Sequence, residues 1–413
     1  MTLSEILKSI SPDDVEKTEC MKAYDMISNY IYDKFERECI LVGSVAKDTF
    51  LKDDKDLDIF IFFNIGTPRN KLESESLKIG KDVFNHFKSK YIIEYSEHPY
   101  ISGTIDEFAV ELVPCYKIDD PKDMKSAVDR TPFHLTYVLN NLKDGQNGQV
   151  RLLKKFLKTQ KLYGAEAKTN GFSGYLCELL IIKYKSFLNL ISEASNWPIN
   201  TKIFFGKAEK SFKDPLIVID PVDPKRNVAS PVSLDTLSRF VLSCKEYHET
   251  EDIRMFNDPK KGYERVQDGM LITLVVDADI LEDIFFAQCR RLLKTITRTS
   301  KREGFSIFRS GVFSKGIFLD FEVFELPKYH KHKGPAIGNK ENMDKFMEKN
   351  ERVFCESGHL FSIKKRKYND VIDVINDILN SQDGMGNNIK KSKIRVLTEN
   401  KAYNELKKHI IYF

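Results

Sequence analysis

Residues 42–63 read VGSVAKDTFLKDDKDLDIFIFF, and this stretch decides how the first part of the chain is understood. From Asp56 the text is β-branched and aromatic, the composition of a strand. Alternate side chains of a strand share a face, so Asp56 and Asp58 project together while Leu57 and Ile59 pack behind them. Two carboxylates on one rigid face repel unless a cation lies between them. Mg²⁺ suits that role, because it takes hard oxygen ligands and brings substrate phosphates as further ligands. Eleven residues upstream, Gly43-Ser44 precedes a predicted short helix over 45–50. Glycine allows close backbone approach to a phosphate, and a helix N-terminus offers free N–H donors. A third acid, Glu111, stands in the otherwise apolar AVELV of residues 109–113, where burial is costly unless it is paired or binds metal. Three strand-borne carboxylates and a phosphate cradle are the parts needed for in-line attack of a hydroxyl on a nucleoside triphosphate. D-x-D alone or Gly-Ser alone would most often be a solvated strand face or a turn. The combination is specific because each piece meets a different need of one reaction.

Working outward, residues 14–35 place Val15, Cys20, Tyr24, Ile27 and Ile31 at helical spacing. A short apolar run lies at 39–42, and strands are predicted at 56–63, 91–95 and 108–116, the last stopped near Pro114, with a turn at His98-Pro99. The period then changes. Thr131-Pro132 reads as N-cap and first helical residue. Residues 150–161 are amphipathic, with Val150, Leu153, Phe156 and Leu157 on one side and Arg151, Lys154, Lys155 and Lys158 on a polar one. A more apolar helix is expected over 174–192, and an extended segment at 217–224. The last third reads as strands at 271–276, 316–325 and 352–363, with helices at 279–302 and 370–379. The fold class expected is α+β in three parts: a mixed-sheet domain at 1–135, a mostly helical one at 136–255 and an α+β one at 256–413.

Several classes are excluded. No apolar run approaches the ~18 residues of a membrane span, and the acidic N-terminal MTLSEILKSISPDD is not a signal peptide. Seven scattered cysteines, with no C-x-x-C pair, read as buried reduced thiols of a cytoplasmic protein. His330-Lys331-His332 reads as a solvated basic turn rather than a zinc site. Neither G-x-x-x-x-G-K-[ST] nor G-x-G-x-x-G occurs, which removes the main support for P-loop and Rossmann chemistry.

The spacing G-S-x₁₁-D-L-D with a later strand acid is similar to the signature of the polymerase β-type nucleotidyltransferase superfamily. HPYISG (98–103), ELVPCYKI (111–118), KSAVDRTPFH (125–134), VRLLKKFLK (150–158), KLYGAE (161–166), GFSGYLCELLI (171–181) and DPVDPKRNVASPVS (220–233) resemble the archaeal class I CCA-adding enzymes. The likeness is dense from 40 to 180 and more diffuse in the last third. It implies a palm-like nucleotidyltransferase sheet domain, a central helical domain and a C-terminal α+β RNA-binding domain. The implied activity is Mg²⁺-dependent completion of the tRNA 3′-terminal CCA from CTP and ATP. Asp56, Asp58 and Glu111 would hold the metal. Gly43, Ser44, Lys47 and Thr131 would lie at the triphosphate, and His134, Lys154 and Tyr163 would contact the nucleotide. Arg226 would help read the base. The family usually has Asp where this chain has Glu111 and Arg where it has Lys47. Glu can still ligate metal, while Lys is a point charge without a bidentate fork. The alternatives are a poly(A) polymerase or other terminal nucleotidyltransferase, or a non-catalytic RNA-binding protein on the same fold.

The net charge of +4, from 65 basic and 61 acidic residues, conceals a segregation. Residues 290–302 carry six bases and no acid, and residues 364–413 carry 11 bases against 6 acids. Removing these segments, +6 and +5, from the total of +4 leaves −7 for the remainder. Arg290, Lys294, Arg298 and Arg302 recur every four residues as one helical stripe, a track for RNA phosphates with Arg298 and Lys301 as candidate contacts. The partners expected are thus tRNA at its acceptor stem and 3′ end, with ATP and CTP and no membrane. A homodimer is compatible with the reading.

Overall fold

The computed structural model describes residues 2–95, 97–257, 270–409 and 411–412. The chain divides into two compact units, 1–260 and 261–413.

The first unit opens with helices α1 (Leu3–Ile10) and α2 (Asp14–Phe35). α2 starts where the Asp13 side chain accepts the Glu16 N–H, and it buries Cys20, Ile27 and Ile31, while Val15 is exposed. Next come β1 (Cys39–Leu41), α3 (Gly43–Ala46), β2 (Asp56–Asn64), α4 (Arg69–His86), β3 (Tyr91–Tyr95), β4 (Pro99–Ile105) and β5 (Phe108–Lys117). The five strands form one sheet in the order β1-β2-β5-β4-β3, in which only β2 and β5 run parallel. Leu57, Ile59, Ile61 and Phe63 are fully buried on one face of β2. At roughly 1.5–3 kcal/mol for each such side chain, this row fixes the strand's register. Asp56 and Asp58 are thereby turned to the other face.

Beyond the sheet lie α5 (Thr131–Asn141), α6 (Gln146–Thr159), α7 (Gly174–Tyr184), α8 (Phe187–Ala194), the short parallel pair β6 (Thr201–Ile203) and β7 (Leu216–Val218), and α9 (Leu234–Thr250). Their core is aromatic, with Phe156, Phe187, Tyr247 and Phe256 in mutual ring contact.

The second unit contains β8 (Met270–Asp277), α10 (Glu282–Glu303), β9 (Ile307–Phe313), β10 (Gly316–Phe321), β11 (Tyr329–Ala336), α11 (Lys340–Lys349), β12 (Phe354–Glu356), β13 (His359–Lys365), α12 (Val371–Ser381), β14 (Lys393–Thr398), α13 (Glu399–Leu406) and β15 (Ile411–Tyr412). It has a sheet in the order β14-β8-β10-β9-β15 and a separate three-stranded sheet, β11-β13-β12, all antiparallel.

Several local expectations are corrected. The helix predicted over 45–50 is the single turn α3, because Phe50 and Leu51 are drawn into two different apolar clusters and pull the chain out of helical geometry. Thr131 is the first residue of α5 and not its N-cap: a 3₁₀ turn over Val128–Arg130 feeds straight into the helix. β5 runs through Pro114, since its pairing with β4 ends at Leu112 and the missing N–H faces no partner strand. Pro99 begins strand β4 rather than ending a turn. The helix expected over 174–192 is broken at Lys185 (φ 75°), and Ser186 caps α8. The strand expected over 316–325 ends at Phe321, and that over 352–363 is the hairpin β12–β13. His330-Lys331-His332 lies within β11. The cysteines are free, but Cys355 is exposed and Cys39 half-buried.

Candidate active site

One cavity of about 690 Å³ in the first unit brings together Gly43, Ser44, Lys47, Asp56, Asp58, Glu111, Thr131, His134, Lys154, Tyr163 and Arg226. These residues come from two strands, three helices and three connecting segments, separated by up to 183 positions in sequence. The volume is that of a small-molecule site.

The acidic wall follows from strand register. Asp58 and Glu111 are directly paired across the parallel β2/β5 ladder, and Asp56 pairs with Ala109. Burial raises the pKa of both groups and the neighbouring carboxylates raise it further, Asp58 to about 6 and Glu111 to about 7. Asp56 is raised as well, by burial and then by Asp54. Gly43 (φ 70°) lies under this wall: a Cβ there would come within 1.7 Å of Asp58 Oδ2, so only glycine fits beneath the carboxylate. Among the described residues, no three His, Cys, Asp or Glu side chains already stand in coordination geometry. The chemistry nevertheless fits a hard divalent cation: the wall is all oxygen donors, and its mutual repulsion is what a cation would relieve.

The basic wall is held by a carboxylate that sequence reasoning missed. Glu178 on α7 is fully buried, accepting from Lys47 Nζ at 2.5 Å and Thr49 Oγ1 at 2.6 Å. Lys154 Nζ donates to the Thr49 carbonyl at 2.9 Å. Lys154 and Arg151, on the polar side of α6, are both buried, because this side docks on the 48–50 loop, where Arg151 donates to the Phe50 carbonyl at 2.8 Å. Burial lowers the pKa of Lys154, with the Glu178 charge acting against it. Tyr163 lies alongside, its hydroxyl 3.1 Å from where a Cβ on Gly174 would stand.

A second missed carboxylate organises the far wall. Asp220 is fully buried and accepts from His134 Nε2 at 2.9 Å, Arg226 at 2.7 Å, Tyr175 Oη at 3.2 Å and the Val222 N–H at 3.0 Å. Burial opposes its ionisation, but these donors prevail and hold its carboxyl at about 2. Burial lowers His134 against the pull of Asp220, so at neutral pH the ring is neutral and donates from Nε2. The His134 and Tyr175 rings stack at 4.0 Å. Asp129, also buried, accepts the Tyr116, Lys125 and Ser126 N–H groups and so fixes the entry to α5. The only sequence signals for these acids were Glu178 within an apolar helix and Asp220 between an apolar strand and Pro221.

Arg298 and Lys301 lie on α10 in the second unit, both exposed, with Arg291, Lys294 and Arg302 also exposed; Arg290 is half-buried and departs from the expected stripe. That unit also has a cavity of about 410 Å³ lined by Arg302, Glu303, Gly304, His330, Lys331, Arg366 and Lys367. Arg366 is fixed there by the Pro327 and Glu303 carbonyls, at 3.1 and 2.8 Å.

Three family models match. Residues 25–134 match the nucleotidyltransferase domain, 148–257 the second domain of tRNA nucleotidyltransferase, and 269–398 the C-terminal domain of CCA-adding enzymes. The chain is 37% identical to the CCA-adding enzyme of Methanocaldococcus jannaschii over 410 residues, 92% of this chain and 91% of that one. It is 33% identical to that of Methanothermobacter thermautotrophicus (92% and 88% covered) and 35% to that of Pyrococcus abyssi (94% and 92%). A solved poly(U) polymerase shares the fold over 62% of this chain and 97% of its own, with a TM-score of 0.50 and 13% sequence identity.

Proposed function

The chain belongs to the CCA-adding enzymes, nucleotidyltransferases that act on tRNA, and on that premise we propose how its residues divide the work. The division follows the three parts read from sequence: catalysis in 1–135, nucleotide and base recognition in 136–255, tRNA binding in 256–413. CTP and ATP are the nucleotides, and the RNA 3′-hydroxyl oxygen forms a bond to the α-phosphorus as the bond to pyrophosphate breaks. The observation that carries this reading is the single cavity in which an acidic wall faces a basic one.

Asp56, Asp58 and Glu111 would hold Mg²⁺, which when bound neutralises triphosphate charge and lowers the pKa of the attacking hydroxyl. Ser44, Lys47 and the Gly43 backbone meet the triphosphate, with Thr131 beside it. α3 is one turn long, so the cradle works through backbone closeness and the Lys47 charge rather than a helix dipole. Neutral His134, with Lys154 and Tyr163, contacts the nucleotide, and Arg226 reads its base. Arg298 and Lys301 follow the RNA backbone, a reading supported by the exposed basic face of α10 and by the cationic cavity near its C-terminal end. The proposed setting is cytoplasmic; no helix among the described residues is long and apolar enough to cross a membrane. A homodimer remains part of the proposal, to be read by light scattering.

The test is incubation of tRNA lacking its terminal CCA with CTP, ATP and both together. Addition of C, C and one A is expected. Long A tails would point to a poly(A) polymerase, and no incorporation with any combination would overturn the reading.

A further inference from the structure

We propose that Asp220 is a positioning residue that locks the Arg226 and His134 contacts of the nucleotide site into one rigid unit and so sets nucleotide discrimination. The inference rests on the functional reading above, which places Arg226 and His134 against the nucleotide.

The geometry is unusually complete. Asp220 leaves β7 at a short hairpin whose arms are joined by the Ile219–Asn227 bridge and by the Asp220 N–H donating to the Arg226 carbonyl at 3.1 Å. The Asn227 side chain ties the same hairpin to β7, accepting the Val218 N–H at 2.8 Å and donating to the Leu216 carbonyl at 2.9 Å. Within this frame both oxygens of Asp220 are in use. Oδ2 takes His134 from α5 and Arg226 from the hairpin; Oδ1 takes Tyr175 from α7 and the Val222 N–H. A second tie, Arg130 to Asp223 at 2.7 Å, joins the start of α5 to the hairpin.

Asp220 does not itself line the cavity, whereas His134, Tyr175 and Arg226 do. Its action is therefore through them. A carboxylate only accepts, so it dictates the Nε2–H tautomer of His134 and orients one edge of the Arg226 guanidinium, leaving the other edge for the substrate. Freezing two recognition groups in advance removes ordering cost from binding and makes a misfitting base costly, because Arg226 cannot swing to accommodate it.

Asp220→Asn tests this, since it keeps the shape and one acceptor oxygen but loses the charge. KM for CTP and ATP should rise about tenfold or more, with a smaller change in kcat, and the preference for CTP over UTP should fall towards that of Arg226→Ala. In Asp220→Asn/Arg226→Ala, discrimination should be no worse than in Arg226→Ala alone, which a general loss of stability would not produce. Ring-nitrogen NMR of His134 in the substrate-free protein should show the Nε2–H tautomer in the wild type and a mixture in Asp220→Asn. A folded variant with wild-type KM and discrimination, or a double mutant whose losses add, overturns the proposal. If the wild-type chain adds no nucleotide to tRNA, the functional reading fails instead. The tautomer measurement then still decides whether Asp220 controls His134.

Discussion

Glu178→Gln is the substitution whose effect follows most directly from the buried polar network. Glu178 is fully buried against two ammonium groups: Lys47, 8% exposed, and Lys154, 2% exposed. Lys47 is bonded to it directly, and Lys154 reaches it through Thr49. Glutamine keeps the size but offers one acceptor oxygen to the two donors, Lys47 and Thr49, and removes the negative charge. Breaking a buried pair by removing one partner costs about 3–5 kcal/mol, because the remaining charge stays desolvated. At about 2–4 °C per kcal/mol for a unit of this size, the first unit should lose roughly 6–20 °C in Tm. Urea unfolding should show a shifted midpoint at unchanged slope. The double variant Lys47→Met/Glu178→Met should recover much of that stability, since apolar replacement of a buried pair is often neutral. It should not recover nucleotide binding, because the Lys47 charge is gone. A loss under about 1 kcal/mol in Glu178→Gln, or a double variant no more stable than the single, would refute the argument that an unpaired buried ammonium is the cost.

Three further outcomes are expected. Glu111→Gln should nearly abolish incorporation while Glu111→Asp retains it, measured as CTP addition to truncated tRNA; equal loss in both would sink the metal-ligand assignment. Because Asp58 and Glu111 titrate near 6 and 7 when folded, above their ordinary 3.8 and 4.5, they favour the fold below about pH 4 and cease to do so as pH rises through 6–7. Metal-free protein should thus lose stability over that window in EDTA, Asp58→Asn/Glu111→Gln should flatten the loss, and apparent Mg²⁺ affinity should climb over it. Gly43→Ala should cut activity well over tenfold with only modest unfolding, since the added Cβ displaces the Asp58 carboxylate; wild-type activity in a folded variant would show that the wall can move.

Much of the site was legible because strand alternation is a local rule. Asp56 and Asp58 had to share a face, and Leu57 and Ile59 had to share the other, whatever the sheet became. Glu111 could be flagged for the same reason, as an acid in an apolar strand. The amphipathic pattern of α6 gave its two sides but not what the polar one meets. Arg151 and Lys154 dock on the 48–50 loop, about 100 positions away in sequence, where the Phe50 and Thr49 carbonyls accept their hydrogen bonds. Helix and strand ends were misread where tertiary pull overrode propensity, as at Phe50 and Leu51, or where a partner strand had already ended, as at Pro114.

By itself, then, the sequence named the candidates for the chemistry: the strand acids, the glycine turn, the later histidine, lysine, tyrosine and arginine, and the basic helix of the second unit. The strand acids, the glycine turn and the basic helix follow from residue type and short-range period; the later histidine, lysine, tyrosine and arginine came only from resemblance to the family's motifs, and the whole-chain relatives agree on the family. Only the tertiary structure decided what holds those residues in place. The register that sets Asp58 opposite Glu111, and the burial that makes Glu178 the anchor of the basic wall and Asp220 that of the far wall, depend on contacts between distant segments. A buried carboxylate's role is fixed by which donors surround it, and no periodicity in a single chain records that.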